Sequence, residues 1–123
     1  NPELYRVRCR AWFATHPMSR RAYKKEWAAK NPESVLATKR KGTFGLSKEG
    51  QWALLEKQGY RCAICLAEIS FLTAHLDHDH STGVIRGFLC RDCNHLLGNA
   101  NDDIITLKQA IKYLRVAGSR SLK

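Results

Sequence analysis

The chain has 123 residues, with 21 Lys plus Arg against 11 Asp plus Glu, and it contains five cysteines. This length fits one small domain with an appendage and excludes two large hydrophobic cores. No apolar run approaches the roughly 18 residues of a membrane span, and arginines occupy the N-terminal region where a secretory signal would be apolar. We therefore expect an intracellular protein without a membrane partner. Because the first residue is Asn1 rather than Met, the natural N-terminus is expected to lie upstream.

The positive charge is concentrated in the N-terminal part of the chain. Residues 1–45 hold 11 basic side chains against three acidic ones, a net charge of +8, which leaves +2 of the total of +10 for residues 46–123. Each Lys or Arg placed on a phosphate releases condensed counterions, so a basic segment of this kind suits a polyanion. We predict a nucleic-acid-binding arm over residues 1–45. The alternative is a solvated helical surface without a ligand.

The arm repeats itself with a period of 15 residues. Pro2, Pro17 and Pro32 share this spacing, as do Trp12 and Trp27. Each unit places a proline near a helix start and follows it with helix-forming residues, which predicts two or three short basic helices. The arm carries four large aromatic side chains: Trp12, Phe13, Tyr23 and Trp27. These rings either anchor the helices to a neighbouring core or stack on bases, and we favour the anchoring role.

A hinge is predicted at residues 41–45, where two glycines interrupt the helical pattern. We place the domain boundary there, between an arm over residues 1–45 and a second domain over residues 46–123. A helix is expected to start at Ser47 and to run to about Gln58, ended by the glycine that follows. This helix leads directly into the first pair of cysteines.

The cysteines give the most specific structural signal in the chain. Cys62 and Cys65 form one CxxC pair, and Cys90 and Cys93 form another after 24 intervening residues. This spacing is typical of a four-cysteine zinc site, and disulfides are not expected in an intracellular protein. We expect the second domain to depend on the metal for folding, since its core is small. Cys9 has no partner in this scheme.

The segment between the two cysteine pairs has the pattern of a β-hairpin. A first strand is predicted over His75–His80, a turn over residues 81–83 and a second strand over residues 84–89. A short helix after Cys93 is expected to stop near Gly98. Strand, turn, strand and helix together predict a ββα unit held by zinc.

The first predicted strand is crowded with titratable groups. Residues 75–80 include three histidines and two aspartates, and burying charged aspartates in a core would be costly. Asp77 is a hard oxygen ligand suited to Mg²⁺, and a neutral histidine can accept a proton near pH 7. The alternative is that some of these histidines bind a second zinc ion or face solvent. For His75 and His95 we favour that alternative.

The string from His75 to Asn94, preceded by Cys62-Ala-Ile-Cys65, resembles the phage recombination endonuclease VII family. That family belongs to the ββα-metal nucleases, also called HNH-like or His-Me finger nucleases. The resemblance covers about residues 54–98. It implies an α+β fold: a small zinc-stapled ββα-metal nuclease domain, here with a basic helical arm before it and an amphipathic helix after it. It also implies the cytoplasm of a bacterial or phage-infected host as the location.

Residue by residue, the resemblance implies the following roles. The four paired cysteines would hold a structural zinc ion, and Asp77 and Asn94 would hold a catalytic Mg²⁺ for which Mn²⁺ can substitute. His78 would be the general base, and His80 matches another functional histidine of the family. The family has a Glu three residues beyond the Asn, where this chain has Leu97.

The implied activity is a Mg²⁺-dependent DNA endonuclease. A water activated by His78 would attack the phosphodiester and leave a 5′ phosphate and a 3′ hydroxyl, nicking or cutting duplex or branched DNA. Three alternatives stay open: a four-way-junction resolvase, a site-specific homing or restriction nuclease, and a non-catalytic zinc-ribbon module that binds DNA. The predicted DNA-binding residues are Arg86, Arg20, Arg21, Lys24, Lys25, Lys39, Arg40 and Lys41, with Arg86 as a phosphate clamp. The alternative for Arg86 is a surface arginine without that role.

The C-terminal segment is predicted to be an amphipathic helix over residues 101–116. Its apolar residues recur at helical spacing: Ile104, Leu107, Ile111 and Leu114. We expect this helix to close the core and to end before Gly118. The alternative is a dimer seam, so the choice between a monomer and a homodimer stays open.

Overall fold

In the computed structural model, residues 2–16 and 18–119 are described, with side chains described as far as Val116. The chain divides into two compact units, Asn1–Lys48 and Glu49–Lys123. Within the described residues there are six α-helices and one two-stranded sheet. This confirms the α+β class, whereas the ββα-metal assignment stays a prediction.

The first unit contains the short helices that the repeat predicts. They are α1 over Pro2–Thr15, α2 over Arg20–Lys30 and α3 over Pro32–Phe44. The second helix begins at Arg20 because the Ser19 side chain accepts the N–H of Ala22 at 3.2 Å and caps it. Pro17, which the repeat places at the start of that helix, lies outside the described residues.

The hinge predicted over residues 41–45 is wrong for its first four residues. Helix α3 continues through Gly42 to Phe44. One glycine inside a helix costs about 1 kcal/mol, which is too little to break a helix with good neighbours. The helix ends at Gly45, which has φ 74° and donates its N–H to the Lys41 carbonyl at 2.8 Å. Glycine tolerates this left-handed conformation, so the break falls on the second glycine.

Helix α4 covers Lys48–Lys57, close to its predicted bounds, and Gly59 follows it with φ 61°. Leu55 on this helix is fully buried. Just past the helix, Gln58 accepts the N–H of Phe88 at 2.7 Å and donates to its carbonyl at 2.9 Å. One side-chain amide thereby satisfies both backbone groups of a residue in the sheet.

The predicted hairpin is present, with β1 over His75–His78 and β2 over Ile85–Leu89 in antiparallel pairing. The register shifts after Asp77: Asp77 pairs with Gly87, but His78 pairs with Ile85. Arg86 is therefore the extra residue on β2. Bulges of this kind bend a strand and change the direction of its side chains.

The core of the second unit lies between α4, the hairpin and the loop that joins them. Trp52 of α4 stacks on Phe71 of that loop, with ring centroids 4.3 Å apart. The buried hydrophobic residues of this unit are Leu55, Cys62, Ile69, Phe71, Ala74, Leu76, Phe88, Leu89 and Cys93. Two of the four paired cysteines belong to this set, so the cysteine cluster and the core are one structure.

Two helices complete the second unit: α5 over Arg91–Asn99, which contacts both strands, and α6 over Ile104–Ser119. The expectation that the C-terminal helix closes the core is wrong. Ile104, Ile111 and Leu114 are 65%, 51% and 68% exposed. The helix also continues past its predicted end, with Gly118 inside it. Among the described residues, no helix is both long and apolar enough to cross a membrane.

Candidate metal centre and active site

The two CxxC pairs come together in one cluster. Their four Sγ atoms all lie within 4.8 Å of one another. The Sγ atoms of Cys65 and Cys90 are 3.7 Å apart, which matches the edge of about 3.8 Å in a tetrahedron with Zn–S bonds of about 2.3 Å. The four thiols therefore form a set that can hold one metal ion, and their chemistry favours zinc.

Local backbone structure places the thiols. Cys62 donates its N–H to Ala67 at 2.8 Å and accepts that of Leu66 at 3.0 Å, which closes a tight turn around the first pair. Cys90 caps the start of α5, where its Sγ accepts the N–H of Cys93 at 3.4 Å. One pair thus sits on a turn and the other on the first turn of a helix.

Two thiols of the cluster differ strongly in how readily they ionise. Burial raises the pKa of the Cys62 thiol, but backbone N–H groups of the cluster donate to its sulfur and lower the pKa to about 6. Burial, reinforced by hydrogen bonds with the neighbouring cysteines, raises the pKa of Cys93 to about 12. One thiol ionises readily and another resists, as expected where several thiolates would repel one another. A bound divalent cation removes that repulsion and releases the remaining protons.

A second polar cluster forms around the bulge of the hairpin. Arg86 donates from Nε to Asp77 Oδ2 at 2.7 Å and from its terminal nitrogen to Asp77 Oδ1 at 3.0 Å. The same terminal nitrogen lies 3.2 Å from both carboxylate oxygens of Asp102. Asp77 raises the pKa of Arg86 above its ordinary value, with a smaller contribution from Asp102. The guanidinium thus joins two carboxylates that are 25 residues apart in the chain.

Asp102 also contacts His80, which lies just after β1. Its Oδ2 lies 2.9 Å from His80 Nδ1. The hydrogen bond to His80 and those from Arg86 lower the pKa of Asp102. The His78 and His80 rings have centroids 4.6 Å apart. The chain of contacts therefore runs from Asp77 through Arg86 and Asp102 to His80 and its neighbour His78.

Asp102 is the functional candidate that sequence reasoning missed. The sequence pattern assigns it only to the start of the C-terminal helix. Asp102 and the preceding Asn101 have φ values of 55° and 51°, a conformation that Asn and Asp adopt more readily than other non-glycine residues. Such an Asn-Asp pair between two helices indicates a turn, but sequence gives no indication of which side chain that turn will approach.

Asp79, the second aspartate of residues 75–80, has a structural role in the turn of the hairpin. Its Oδ1 accepts the N–H groups of Ser81 and Thr82 at 2.8 and 3.0 Å. The hydroxyl and N–H of Ser81, with the N–H of Thr82, lower the pKa of Asp79 to about 2. Turn formation therefore accounts for one of the two aspartates in residues 75–80.

The residues proposed for Mg²⁺ offer hard oxygen donors of the right kind. Asp77 lies on β1, with its side chain 9% exposed, and Asn94 lies half-buried on α5, which contacts β1. Mg²⁺ in proteins is usually held by one or two carboxylates and several waters, so a carboxylate and an amide suit it. The carboxylate of Asp77 is occupied by Arg86, and a cation at Asp77 would have to share or displace that guanidinium. Leu97, at the position of the family Glu, is half-buried and offers no ligand.

The basic residues predicted to bind DNA differ in their exposure. Most of them lie on the surface: Arg20, Arg21, Lys24, Lys25, Lys39 and Lys41. Arg40 differs from them, because it is 5% exposed and burial lowers its pKa, and its DNA contact stays a prediction. It lies one helical turn from buried Ala37 on the inner face of α3. Arg86 is also not a free surface cation, since two carboxylates hold it.

Comparison with known proteins gives one family and two relatives. The profile of the family described as recombination endonuclease VII matches residues 37–116. The Gene 59 protein of Mycobacterium phage D29 is 42% identical over 93 residues, which is 74% of this chain and 56% of that protein. The Gene 59 protein of Mycobacterium phage L5 is 45% identical over 74 residues, 58% of this chain and 45% of that protein. The chain therefore spans about half the length of these curated relatives.

Proposed function

Because the chain belongs to the recombination endonuclease VII family, we propose that it is a metal-dependent endonuclease acting on DNA. The observation that carries the proposal is the polar cluster on the hairpin. Asp77 and His78 end β1, the centroid of the His80 ring lies 4.6 Å from that of the His78 ring, and α5, which carries Asn94, packs on the sheet. Hard oxygen ligands together with an imidazole supply the two functions that metal-assisted hydrolysis needs, a metal site and a general base.

In the proposed reaction, His78 takes a proton from the attacking water. A neutral imidazole can do this near pH 7, and such general-base help is typically worth about 10² to 10⁴ in rate. His80, held by Asp102, orients the water or contacts the scissile phosphate. A Mg²⁺ or Mn²⁺ ion bound by Asp77 and Asn94 would stabilise the charge that develops on the phosphate and on the leaving 3′ oxygen. The products would be a 5′ phosphate and a 3′ hydroxyl.

Arg86 has two roles in this proposal. In the free protein it neutralises the Asp77 carboxylate through two hydrogen bonds. Once a divalent cation occupies that carboxylate, repulsion between the two cations favours release of the guanidinium toward a phosphate, while Asp102 keeps it nearby. Arg86 would thus serve as a phosphate clamp only when the metal is bound.

We place branched DNA ahead of plain duplex as the substrate. The family description names a recombination enzyme, and recombination intermediates are branched. Nicking or cutting of duplex, site-specific cleavage and four-way-junction resolution stay as competing outcomes. Each leaves a distinct product pattern.

The test is to incubate the zinc-loaded protein with supercoiled plasmid and with a synthetic four-way junction, with and without Mg²⁺. We expect Mg²⁺-dependent cleavage, faster on the junction, that is lost in His78→Ala and kept in His75→Ala. His75 is a matched control because it is an exposed histidine on the same strand. Cleavage by His78→Ala at the rate of the unmodified protein would refute the mechanism.

A second candidate is a zinc module that binds DNA without cutting it. The observation that favours it is the bidentate Arg86–Asp77 pair, since a half-buried ion pair of this kind can be purely structural. This candidate predicts junction binding without cleavage at any Mg²⁺ or Mn²⁺ concentration. Mg²⁺-dependent products in the assay above would exclude it.

A further inference from the structure

The first unit contains an open aromatic cavity that the proposed reaction does not use. Its volume is about 340 Å³. The residues that line it come from α1, α2 and the connection between them: Trp12, His16, Met18, Tyr23, Glu26, Trp27 and Lys30. Trp12, Tyr23 and Trp27 are 40%, 39% and 44% exposed. These rings are therefore not the buried anchors that we favoured from the sequence.

Most of the rings support one another. Trp12 stacks on His16 with centroids 3.7 Å apart and meets the edge of Tyr23 at 5.1 Å. Phe13 packs against Tyr23 at 5.5 Å. Trp27 is different: among the described residues, no ring contact involves it. One side of the cavity is thus a cluster of rings in mutual contact. The other side is the indole of Trp27, which contacts no other described ring.

Helix α2, which lines one side of the cavity, is strongly positive as a whole. Helix α2 carries five cations and one carboxylate, and that carboxylate, Glu26, already forms an ion pair with Lys30 at 2.5 Å. The other four cations are exposed: Arg20, Arg21, Lys24 and Lys25. A ligand of complementary chemistry would join a flat apolar ring to a negative charge. A nucleotide has both.

We propose that this cavity binds one unstacked nucleobase of DNA, with Trp27 as the stacking platform and the cations of α2 on the adjoining phosphates. The choice of DNA rests on the proposed function. The cavity is at the small end of ligand pockets, and one base with its sugar is small enough to enter it. Stacking of a base on an aromatic side chain is worth about 1 to 3 kcal/mol. Branched DNA supplies such bases where its pairing is interrupted, so this site would help to recognise branched substrates.

The test measures binding without cleavage. The zinc-loaded protein is titrated, in the absence of Mg²⁺, into a short single-stranded oligonucleotide that carries 2-aminopurine and into its duplex. We expect tighter binding of the single strand and a change in 2-aminopurine fluorescence as the base enters the cavity. Trp27→Leu, which keeps an apolar side chain but removes the aromatic face, should weaken single-strand binding by about 5- to 150-fold. Trp27→Phe should restore most of it.

Tyr5→Ala provides the matched control, because Tyr5 is a 71% exposed aromatic residue of α1 that does not line the cavity. It should leave the affinity unchanged. The proposal is overturned if Trp27→Leu, with helix content unchanged by circular dichroism, binds like the unmodified protein, or if Tyr5→Ala loses as much affinity. If the protein binds the base but cleaves no junction, the proposed function is refuted and the base site is not. If the protein cleaves the junction but Trp27→Leu binds the single strand with unchanged affinity, the base site is refuted and the proposed function is not.

Discussion

The two units of the chain are built in different ways. In the second unit, residues far apart in sequence are joined by directed contacts: four thiols within 4.8 Å, a glutamine on the backbone of Phe88, and a guanidinium between two carboxylates. In the first unit, α1 and α2 bury no residue, and α3 buries Ala37 and Arg40. The second unit is therefore specified by long-range contacts, and the first by local helix signals and charge.

This difference predicts that the two units will respond to different perturbations. The second unit should lose stability when one substitution removes a thiol or a hydrogen-bonding side chain from its clusters. The first unit should tolerate single substitutions in its fold but respond to its total charge and to salt.

The largest expected effect is the removal of zinc. Apparent zinc affinities of about 10 to 16 kcal/mol exceed or match the total stability of an ordinary domain, so a chelator should unfold residues 49–123. Cys93→Ser should do the same, and Cys9→Ser should not, because Cys9 lies outside the thiol cluster. Amide spectra and a count of one zinc per chain would check this. A second unit that stays folded without metal would show that the thiol cluster does not stabilise it.

The next largest effect concerns Asp77 and His78, which should separate stability from catalysis. We expect His78→Ala to lower the cleavage rate by about 10² to 10⁴ with little change in unfolding temperature. Asp77→Asn should reduce the rate at least as much and should also lower the unfolding temperature, since Arg86 loses its bidentate carboxylate. Single-turnover rates and thermal melts measure both. Equal unfolding temperatures for Asp77→Asn and the unmodified protein would show that the Asp77–Arg86 ion pair does not stabilise the fold.

Asp102→Asn tests whether long-range contacts position the histidine. Partners that orient the groups of a metal site typically contribute about 10- to 100-fold in affinity or activity, and we expect a loss of rate in that range. NMR of the ring nitrogens should show a changed tautomer for His80, whose Nδ1 loses its carboxylate partner. Asp103→Asn is the control, since Asp103 bonds the N–H groups of Ile105 and Thr106 instead. An unchanged rate and tautomer in Asp102→Asn would exclude the positioning role.

The basic first unit should show its contribution through salt. Lys24→Gln combined with Lys25→Gln should reduce the slope of log affinity against log salt by about 0.9 for each phosphate that the protein no longer neutralises. The matched pair Lys108→Gln and Lys112→Gln removes the same charge from α6 of the second unit. DNA affinity measured across a salt series would compare them. Equal changes in slope for the two pairs would show that charge position is irrelevant.

The smallest effect is expected at the start of α6 in acid. Hydrogen bonds from the Thr106 hydroxyl and from the N–H groups of Ile105 and Thr106 lower the pKa of Asp103. Its stabilising contribution is therefore complete above the unfolded pKa of about 3.9 and is lost as the pH falls through the lower folded value. Amide exchange in the first turn of α6 should accelerate over that range, and Asp103→Asn should abolish the pH dependence. A pH dependence that survives in Asp103→Asn would assign it to another group.

The elements that sequence predicted well depend on local signals. The zinc ligands follow from the spacing of two CxxC pairs, and the turn of the hairpin follows from the residues around Gly83, which has φ 74°. The differences between expectation and structure involve partners distant in sequence. The apolar spacing of α6 predicted that it closes the core, but its apolar residues are exposed, and the charge of Arg40 gave no indication that its side chain is buried.

The α+β class, the cysteine cluster, the hairpin and the positive charge of the first unit are predictable from the sequence, because they follow from residue type and from short-range spacing. Three features emerge only in the folded chain: Arg86 lies between Asp77 and Asp102, Asp102 contacts His80 across 22 residues, and the rings near Trp27 surround an open cavity. Such contacts join side chains that are distant in sequence. Residue type and local spacing do not indicate which of these side chains will lie next to each other in the folded chain.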